Sequence, residues 1–261
     1  MVTASYIFAI LFEIVYPILV GLMIIRRYNT GWKLFGVGVL TFLGSQVVHL
    51  LLLSGFSELI KRGLFPSPAL EILPYAIVVG LLAGLCEETA RLTGYKILKE
   101  KGNTWGAALT LGAGHGGSES IIIGLVSLAN FAVFIYIQQT GRTALGVTPS
   151  QLSQVFNIPW TLPLAGAVER LTTLIMQLTL SIMVWIAVSR RAWGWFIAAI
   201  LWHTLVDGSV LLLQNIGFTT WAIEGILTGV MLINIIGLYI MNLIKTQTTP
   251  LPGDRTNVLD N

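Results

Sequence analysis

Seven apolar runs, separated by short polar breaks, determine what this chain can fold into. Only 10% of its 261 residues are charged, whereas a soluble domain carries about 25%. A helix needs about 20 residues to cross the hydrocarbon core of a bilayer. The sequence therefore predicts an all-α fold, a polytopic membrane helical bundle of about seven transmembrane helices. Cut at the breaks, the runs cover roughly residues 5–25, 33–54, 73–98, 104–138, 164–188, 193–213 and 220–244.

One run is too long for a simple crossing. Residues 104–138 would form a helix of about 50 Å against a core of about 30 Å, and the glycines between 112 and 117 offer a place to kink or break it. Prolines between 139 and 163 indicate an outer loop. We expect residues 1–245 to form a single transmembrane domain and residues 246–261 to form a short disordered cytoplasmic tail.

Basic residues predict the orientation of the bundle. They concentrate in every second break, and with seven crossings those breaks lie on one side of the membrane. The positive-inside rule makes that side cytoplasmic, so we expect the N-terminus outside and the C-terminus in the cytoplasm. This grouping also explains the net charge of +3 without nucleic-acid binding. The residues concerned are Arg26, Arg27, Lys33, Lys96, Lys99, Lys101, Arg190, Arg191 and Lys245.

Two adjacent carboxylates, Glu87 and Glu88, lie inside the third run, followed by Arg91. A carboxylate in the hydrocarbon core costs several kcal/mol, so such residues commonly have a function. Like charges in a dry site cannot both ionise easily, and the pair is expected to share a proton. Arg91 could stabilise one ionised carboxylate while the other exchanges a proton. This arrangement suits acid/base chemistry.

Two histidines are predicted at the same depth as this pair. Counted from the cytoplasmic ends of their runs, the glutamates, His115 and His203 all lie about 10 residues up, or about 15 Å deep. Each histidine has a carboxylate four residues later, Glu119 and Asp207 respectively, and therefore on the same helix face. We interpret these residues as one site.

Other polar residues in the runs have a structural interpretation. Glu169, Arg170 and Gln177 are expected to form an ion pair with a polar neighbour, and His49 beside Gln46 is expected to be a hydrogen-bonded core residue. The GxxxG spacings at Gly80/Gly84 and Gly225/Gly229 indicate helix packing. Residues expected to support the site are Arg91, Glu119, Glu169, Arg170 and Gln177.

These motifs resemble the type II CAAX-processing (ABI) superfamily of intramembrane proteases, and more closely its bacterial YhfC-type branch of membrane peptidases. The superfamily pattern is a glutamate pair with a following arginine, a histidine on the next helix, and HxxxN or HxxxD on a later one. Here these appear as EETAR at 87–91, GHGGSES at 114–120 and HTLVD at 203–207. The resemblance covers about residues 73 to 210 and implies a multi-pass protein of a bacterial plasma membrane.

The resemblance also implies roles for individual residues. Glu87, helped by His115, would activate water, while His203 and residue 207 would stabilise the oxyanion. Asp207 stands where asparagine is common, and an ionised aspartate cannot donate to an oxyanion. It would have to be protonated, orient His203 or bind a metal.

Two further departures from the CAAX-type pattern leave the base undecided between Glu87 and Glu88. Arg91 lies one residue closer to the pair, and Leu111 replaces a phenylalanine before the histidine.

Hydrolysis of a membrane-embedded or membrane-proximal peptide is the leading functional hypothesis. A glutamate would take a proton from water and pass it to the leaving amine, and His115 and His203 would donate to the oxyanion. A proton-coupled transporter is an alternative because intramembrane Glu/His chains also carry protons, although no internal repeat is visible. A catalytically inactive membrane scaffold of the same fold is another.

Two mechanisms remain open for the hydrolysis. The glutamic mechanism needs no cofactor, and we favour it because the glutamate pair already provides a base. The other uses one divalent metal ion, such as zinc, for which histidine nitrogens and carboxylate oxygens are suitable ligands. The candidate ligands are His115, His203, Asp207 and Glu88.

Overall fold

Helices make up the membrane domain in the computed structural model, which describes residues 1–141 and 149–247. Seven of the helices in these ranges are long and apolar enough to cross a membrane. The predicted all-α, multi-pass fold is therefore confirmed. The helices are α1 (Val2–Tyr28), α2 (Trp32–Lys61), α3 (Ile72–Leu98), α4 (Trp105–Thr140), α5 (Pro149–Phe156), α6 (Leu164–Ser189), α7 (Gly194–Asn215) and α8 (Thr220–Gln247), with a 3₁₀ turn at Lys99–Gly102.

The predicted break in the fourth run is wrong. Helix α4 continues without interruption for 36 residues. Its glycines instead allow neighbouring helices to approach: a Cβ atom added at Gly112 would lie 2.7 Å from Cβ of Ser181, and one at Gly114 only 2.0 Å from the carbonyl oxygen of Phe35. Part of the predicted outer loop forms the short helix α5, and the predicted tail lies almost entirely outside the described residues.

Helix α6 occupies the centre of the bundle. Most of its apolar window is buried, and it packs against α1, α3, α4, α7 and α8. Around it, α3 lies between α2 and α7, while α4 lies against α1 and α2. The outer faces carry exposed leucines such as Leu40 and Leu51, as expected where a helix contacts lipid. Side chains of five helices can therefore reach the middle of the bundle.

Glycines bring the helices that carry the candidate site into backbone contact. On α3, a Cβ atom at Gly80 would lie 2.6 Å from the Thr204 carbonyl oxygen, and one at Gly84 would lie 2.9 Å from that of Ile200. Small residues at such positions allow membrane helices to approach closely. The packing interpretation of Gly80/Gly84 is thus confirmed, whereas Gly225 and Gly229 have no atom close enough to contact an added Cβ.

The α2–α4 contact predicts a difference between two glycines of the same helix. A Cβ atom at Gly38 would lie 2.1 Å from the Leu111 carbonyl oxygen, whereas one at Gly44 would meet nothing within 4 Å. Gly38→Ala should therefore lower the melting temperature in detergent, since overpacking typically costs about 1–3 kcal/mol. Gly44→Ala should leave it unchanged or raise it slightly. Equal melting temperatures for the two variants would contradict this packing.

The orientation predicted from the basic residues is testable with reporters of membrane side. A reporter fused after Thr246 should be cytoplasmic, and one placed within residues 145–160 should be external. Both reporters on one side would contradict the seven-span topology. Both reversed would contradict the predicted orientation alone.

Candidate active site

The carboxylate of Glu87 on α3 lies where side chains from four other helices meet. Gln46 of α2 donates to its Oε1 at 3.1 Å, and Gln177 of α6 donates to its Oε2 at 3.3 Å. The same Oε2 lies 3.1 Å from Nε2 of His115 on α4 and 3.8 Å from Nε2 of His203 on α7. The structure thus brings together both histidines and the glutamate that were predicted to share one depth.

The ring of His115 is held from its other side by Thr41. The Thr41 hydroxyl oxygen lies 2.7 Å from the carbonyl oxygen of Gly38 and 3.0 Å from Nδ1 of His115. A hydroxyl has one hydrogen. When that hydrogen is donated to the Gly38 carbonyl, Thr41 accepts a bond from Nδ1–H. Nε2 of His115 then has no hydrogen of its own, so one proton can be shared between Nε2 and Oε2 of Glu87.

The ring of His203 lies among three carboxylates. Its Nδ1 is 2.8 Å from Oε1 of Glu88, and its Nε2 is 3.4 Å from Oδ2 of Asp207 and 3.8 Å from Oε2 of Glu87. The contact with Asp207 is the one expected from their four-residue spacing. Both ring nitrogens therefore face acceptors.

Glu88 and Arg91 form a buried pair behind this cluster. Both are fully buried, and Arg91 Nη1 donates to Glu88. Arg91 Nη2 donates to the amide oxygen of Gln177 and lies 3.7 Å from Oε2 of Glu87. The arginine thereby balances the charge of the glutamate pair and also fixes the orientation of the Gln177 amide. Of the two glutamates, Glu87 lines a cavity and Glu88 has no exposed surface.

The supporting residues continue the network along α6. The Gln177 amide nitrogen also donates to Oε2 of Glu119 at 2.9 Å. Oε1 of Glu119 accepts from Arg170 at 2.7 Å, and Arg170 pairs in addition with Glu169. The sequence predicted Glu169 and Arg170 as a structural ion pair with Gln177 as a polar neighbour. In the structure all three belong to one chain of contacts that begins at Glu87.

Two cavities meet at the site, separated by a wall that contains His49, Ala83, Glu119 and Asp207. One, of about 420 Å³, is the lateral cavity: it lies between α2 and α4 and reaches Glu87. Its rim includes exposed side chains, namely Leu43, Leu50, Ile122 and Ile123.

The other, of about 330 Å³, is the end cavity: it lies towards the start of α6 and the end of α7, with Glu169, Arg170 and Gln214 in its wall. We expected a polar cavity that opens to the cytoplasm or sideways between helices. The lateral cavity matches the second alternative, whereas the end cavity lies towards the side predicted to be external.

Residues 12–227 of the chain match the family model described as YhfC intramembrane metalloprotease, and this range contains every residue of the site. The chain belongs to the YhfC intramembrane metalloprotease family. An uncharacterised membrane protein of Bacillus subtilis strain 168, YhfC, is 29% identical over 206 residues, which are 73% of this chain and 76% of that protein. No solved structure matches the chain.

The YhfC family description names a metal, and the donor types around Glu87 agree with zinc, which takes imidazole nitrogens and carboxylate oxygens. His115 and His203 also bond through Nδ1 to Thr41 and Glu88, as metal-bound histidines commonly do with their second nitrogen. However, within residues 1–141 and 149–247 no three His, Cys, Asp or Glu side chains are grouped so that they could hold a metal ion. The side chains as placed are therefore not assembled into a metal site, although their donor types suit zinc, and we assign no catalytic step to a metal.

The candidate ligand Glu88 shows why the predicted ligand set is not assembled. Glu88 pairs with Arg91 on one side and with Nδ1 of His203 on the other, so it lies behind the imidazole and not beside its Nε2. Metal binding by the predicted set His115, His203, Asp207 and Glu88 would require Glu88 to leave this pair.

Three residues of α2 contact or face the site without having been predicted to do so. Thr41 holds His115, Gln46 holds Glu87, and His49 lies in the wall between the cavities. The available signal was their spacing, because Gln46 and His49 are three residues apart and share a helix face.

The buried and exposed arginine–glutamate pairs of this YhfC-family protein should differ in their contribution to stability. Removing the charge of Arg91 by Arg91→Met leaves the buried Glu88 without its permanent cation and held only by Nδ1 of His203, and breaking a buried ion pair in this way typically costs about 3–5 kcal/mol. The control is Arg62→Met on α2, where the pair with Glu58 is exposed and little change is expected. Thermal unfolding in detergent measures both. An Arg91→Met variant as stable as Arg62→Met would contradict the proposed charge balance.

Proposed function

We propose that this YhfC-family protein is an intramembrane peptidase that hydrolyses a peptide bond of a membrane-embedded or membrane-proximal peptide. One observation carries the proposal: the buried Glu87 lines the lateral cavity and is held by groups from four other helices. A bound carboxylate in contact with an imidazole is suited to proton transfer in the membrane. The family description supports the same class of reaction.

Glu87 acts as the base for water. The amides of Gln46 and Gln177 contact its two oxygens as hydrogen-bond donors, so they favour the ionised carboxylate. Glu88 is unsuited to this role because it is fully buried and paired with Arg91 and His203. Glu88 therefore positions the other groups. A general base of this kind typically contributes a rate factor of about 10²–10⁴.

The Glu87–His115 pair takes one proton from water and returns it to the departing amine, so no other residue has to supply or remove a proton. Glu87 takes a proton from water as the water oxygen forms a bond to the substrate carbonyl carbon. The carbon–nitrogen bond then breaks, and the proton passes to the departing amine nitrogen. His115, with Nε2 at 3.1 Å from Oε2 of Glu87, shares the proton between the two steps. The products are a carboxylic acid and an amine.

His203 and Asp207 stabilise the site during this transfer. Asp207 lies 3.4 Å from Nε2 of His203 and is 39% exposed, so it reaches the cavity wall as well as the imidazole. With Nδ1 at Glu88 and Nε2 near Asp207 and Glu87, His203 is held in place between the carboxylates. We assign Asp207 the role of orienting His203.

A substrate peptide can reach Glu87 from the bilayer. The lateral cavity has a volume of about 420 Å³ and an apolar rim on α2 and α4. An apolar segment could enter past this rim, and its peptide bond would then lie in the same cavity as the Glu87 carboxylate. The end cavity, lined by Glu119, Arg170 and Gln214, has polar groups that can bind the water that the reaction consumes.

A proton-coupled transporter is the second candidate, and one observation favours it. The contacts from Glu87 through Gln177, Glu119 and Arg170 to Glu169 run along α6 towards its first turns. Such chains of titratable residues also serve as proton relays. Proton-driven uptake of a solute by liposomes that contain the protein, without any peptide cleavage, would favour this function over the peptidase.

Replacing Glu87 should abolish peptide cleavage. The following assay measures cleavage in a peptide mixture, so the natural substrate need not be known. The protein in liposomes is given peptides from proteolysed bacterial membranes in water labelled with oxygen-18, and mass spectrometry detects labelled new C-termini. Glu87→Gln should lower the labelling rate at least about 100-fold because the base is lost. Glu58→Gln, at an exposed ion pair on α2, should match the wild type. No labelling by the wild type, or equal labelling by Glu87→Gln, would contradict the proposal.

Asp207→Asn separates the two mechanisms. If Asp207 only orients His203, asparagine keeps a hydrogen-bonding group of the same shape, and activity should stay within about tenfold, or 1.4 kcal/mol in barrier. If Asp207 is a metal ligand, the neutral amide should weaken metal binding, and chelators should inactivate the wild type. We predict the first result. Stoichiometric zinc in the wild type, lost together with activity in Asp207→Asn, would contradict it.

A further inference from the structure

His49 differs from the other two histidines of the chain in its contacts. His115 and His203 each have both ring nitrogens next to a polar group. Both nitrogens of His49 are buried, yet neither has a hydrogen-bond partner in the part of the chain that the structure describes. A buried polar group without a partner costs free energy and is uncommon in proteins. The expectation that His49 is a hydrogen-bonded core residue is therefore wrong for the described residues, and its ring can still bind a group that enters the cavities.

The position of His49 relates it to the reaction. It lies in the wall of both cavities, together with Glu119 and Asp207. Gln46, one helical turn earlier on the same face of α2, contacts Oε1 of Glu87 at 3.1 Å. A substrate that enters through the lateral cavity and reaches Glu87 must therefore pass beside the His49 ring.

Among the described residues, few hydrogen-bond donors around Glu87 remain available to a substrate. The Nε–H of Arg91 has no partner, but this side chain has no exposed surface and lines neither cavity. Hydrolysis puts negative charge on the carbonyl oxygen, which needs a donor in place before the reaction. The Gln177 amide is committed to Glu87 and Glu119, and both nitrogens of His203 face carboxylates. An ionised Asp207 can only accept.

Two donors that line the lateral cavity lie on α2. A neutral imidazole has one N–H in either tautomer, and the amide nitrogen of Gln46 has a second hydrogen besides the one given to Glu87. His49 and Gln46 thus offer two donors in the wall of the lateral cavity, which Glu87 also lines from another helix.

We propose that the N–H of His49, with the second amide hydrogen of Gln46, binds the carbonyl oxygen of the peptide bond that is cleaved. This inference rests on the peptidase function proposed above. His49 stays neutral and transfers no proton, so the proton balance within the Glu87–His115 pair is unchanged.

Three variants of His49 and one of Leu51 test this proposal. The substrate is a synthetic copy of the peptide whose cleavage by the wild type gives the strongest oxygen-18 signal. His49→Phe keeps a ring of similar size without a donor and should lower kcat roughly 100-fold or more, with KM changed only a few-fold. His49→Asn and His49→Gln, whose amides can donate, should recover at least about tenfold of that loss. Leu51→Ala, which is 69% exposed on the lipid side of α2, should match the wild type.

The outcomes separate this inference from the function on which it rests. No cleavage by the wild type, or full activity of Glu87→Gln, contradicts the peptidase itself. Cleavage that depends on Glu87 but is unchanged within threefold in His49→Phe overturns only the role of His49. A loss in His49→Phe that neither amide recovers, together with a lower melting temperature, also overturns it, because His49 would then be structural.

Discussion

An ionised carboxylate in the hydrocarbon core needs hydrogen-bond donors or cations, and the packing of this bundle supplies them to Glu87. Gln46, His115, Gln177 and His203 come from four different helices, so the site forms only when all of them are in place. The glycine contacts of α2 with α4 and of α3 with α7 place these helices close enough for short side chains to meet. The close packing of these helices therefore both holds the bundle together and brings the donors to Glu87.

Gln177 connects the charged residues around Arg91 with those around Arg170. It can reach both because it lies on the central helix α6. Its amide oxygen accepts from Arg91, and its amide nitrogen donates to both Glu87 and Glu119. A carboxylate here would repel its acidic neighbours, and a hydrocarbon side chain would remove one donor from each of them, leaving Glu87 with Gln46 and Glu119 with Arg170. Through this amide, the charges balanced by Arg91 are joined to those balanced by Arg170.

Spacing within one helix was predictable from the sequence, whereas contacts between helices were only partly so. The four-residue spacing placed Asp207 beside His203, and counting along the runs placed His115 at the depth of Glu87, both as the structure has them. Thr41, Gln46 and His49 were not predicted as partners, because the face that α2 turns to the bundle depends on its rotation about its axis. The break expected at Gly112 to Gly117 was wrong because glycine permits close packing as well as a kink.

The central claim is that Glu87, approached through the lateral cavity, attacks a peptide bond by way of water. The most direct test is an experimental structure of the Glu87→Gln variant bound to a peptide that the wild type cleaves. The account predicts the scissile carbonyl carbon within one water molecule's reach of residue 87, the chain of the peptide between α2 and α4, and the carbonyl oxygen towards His49. A peptide seated only in the end cavity near Glu169, or on the outer surface of the bundle away from residue 87, would contradict it.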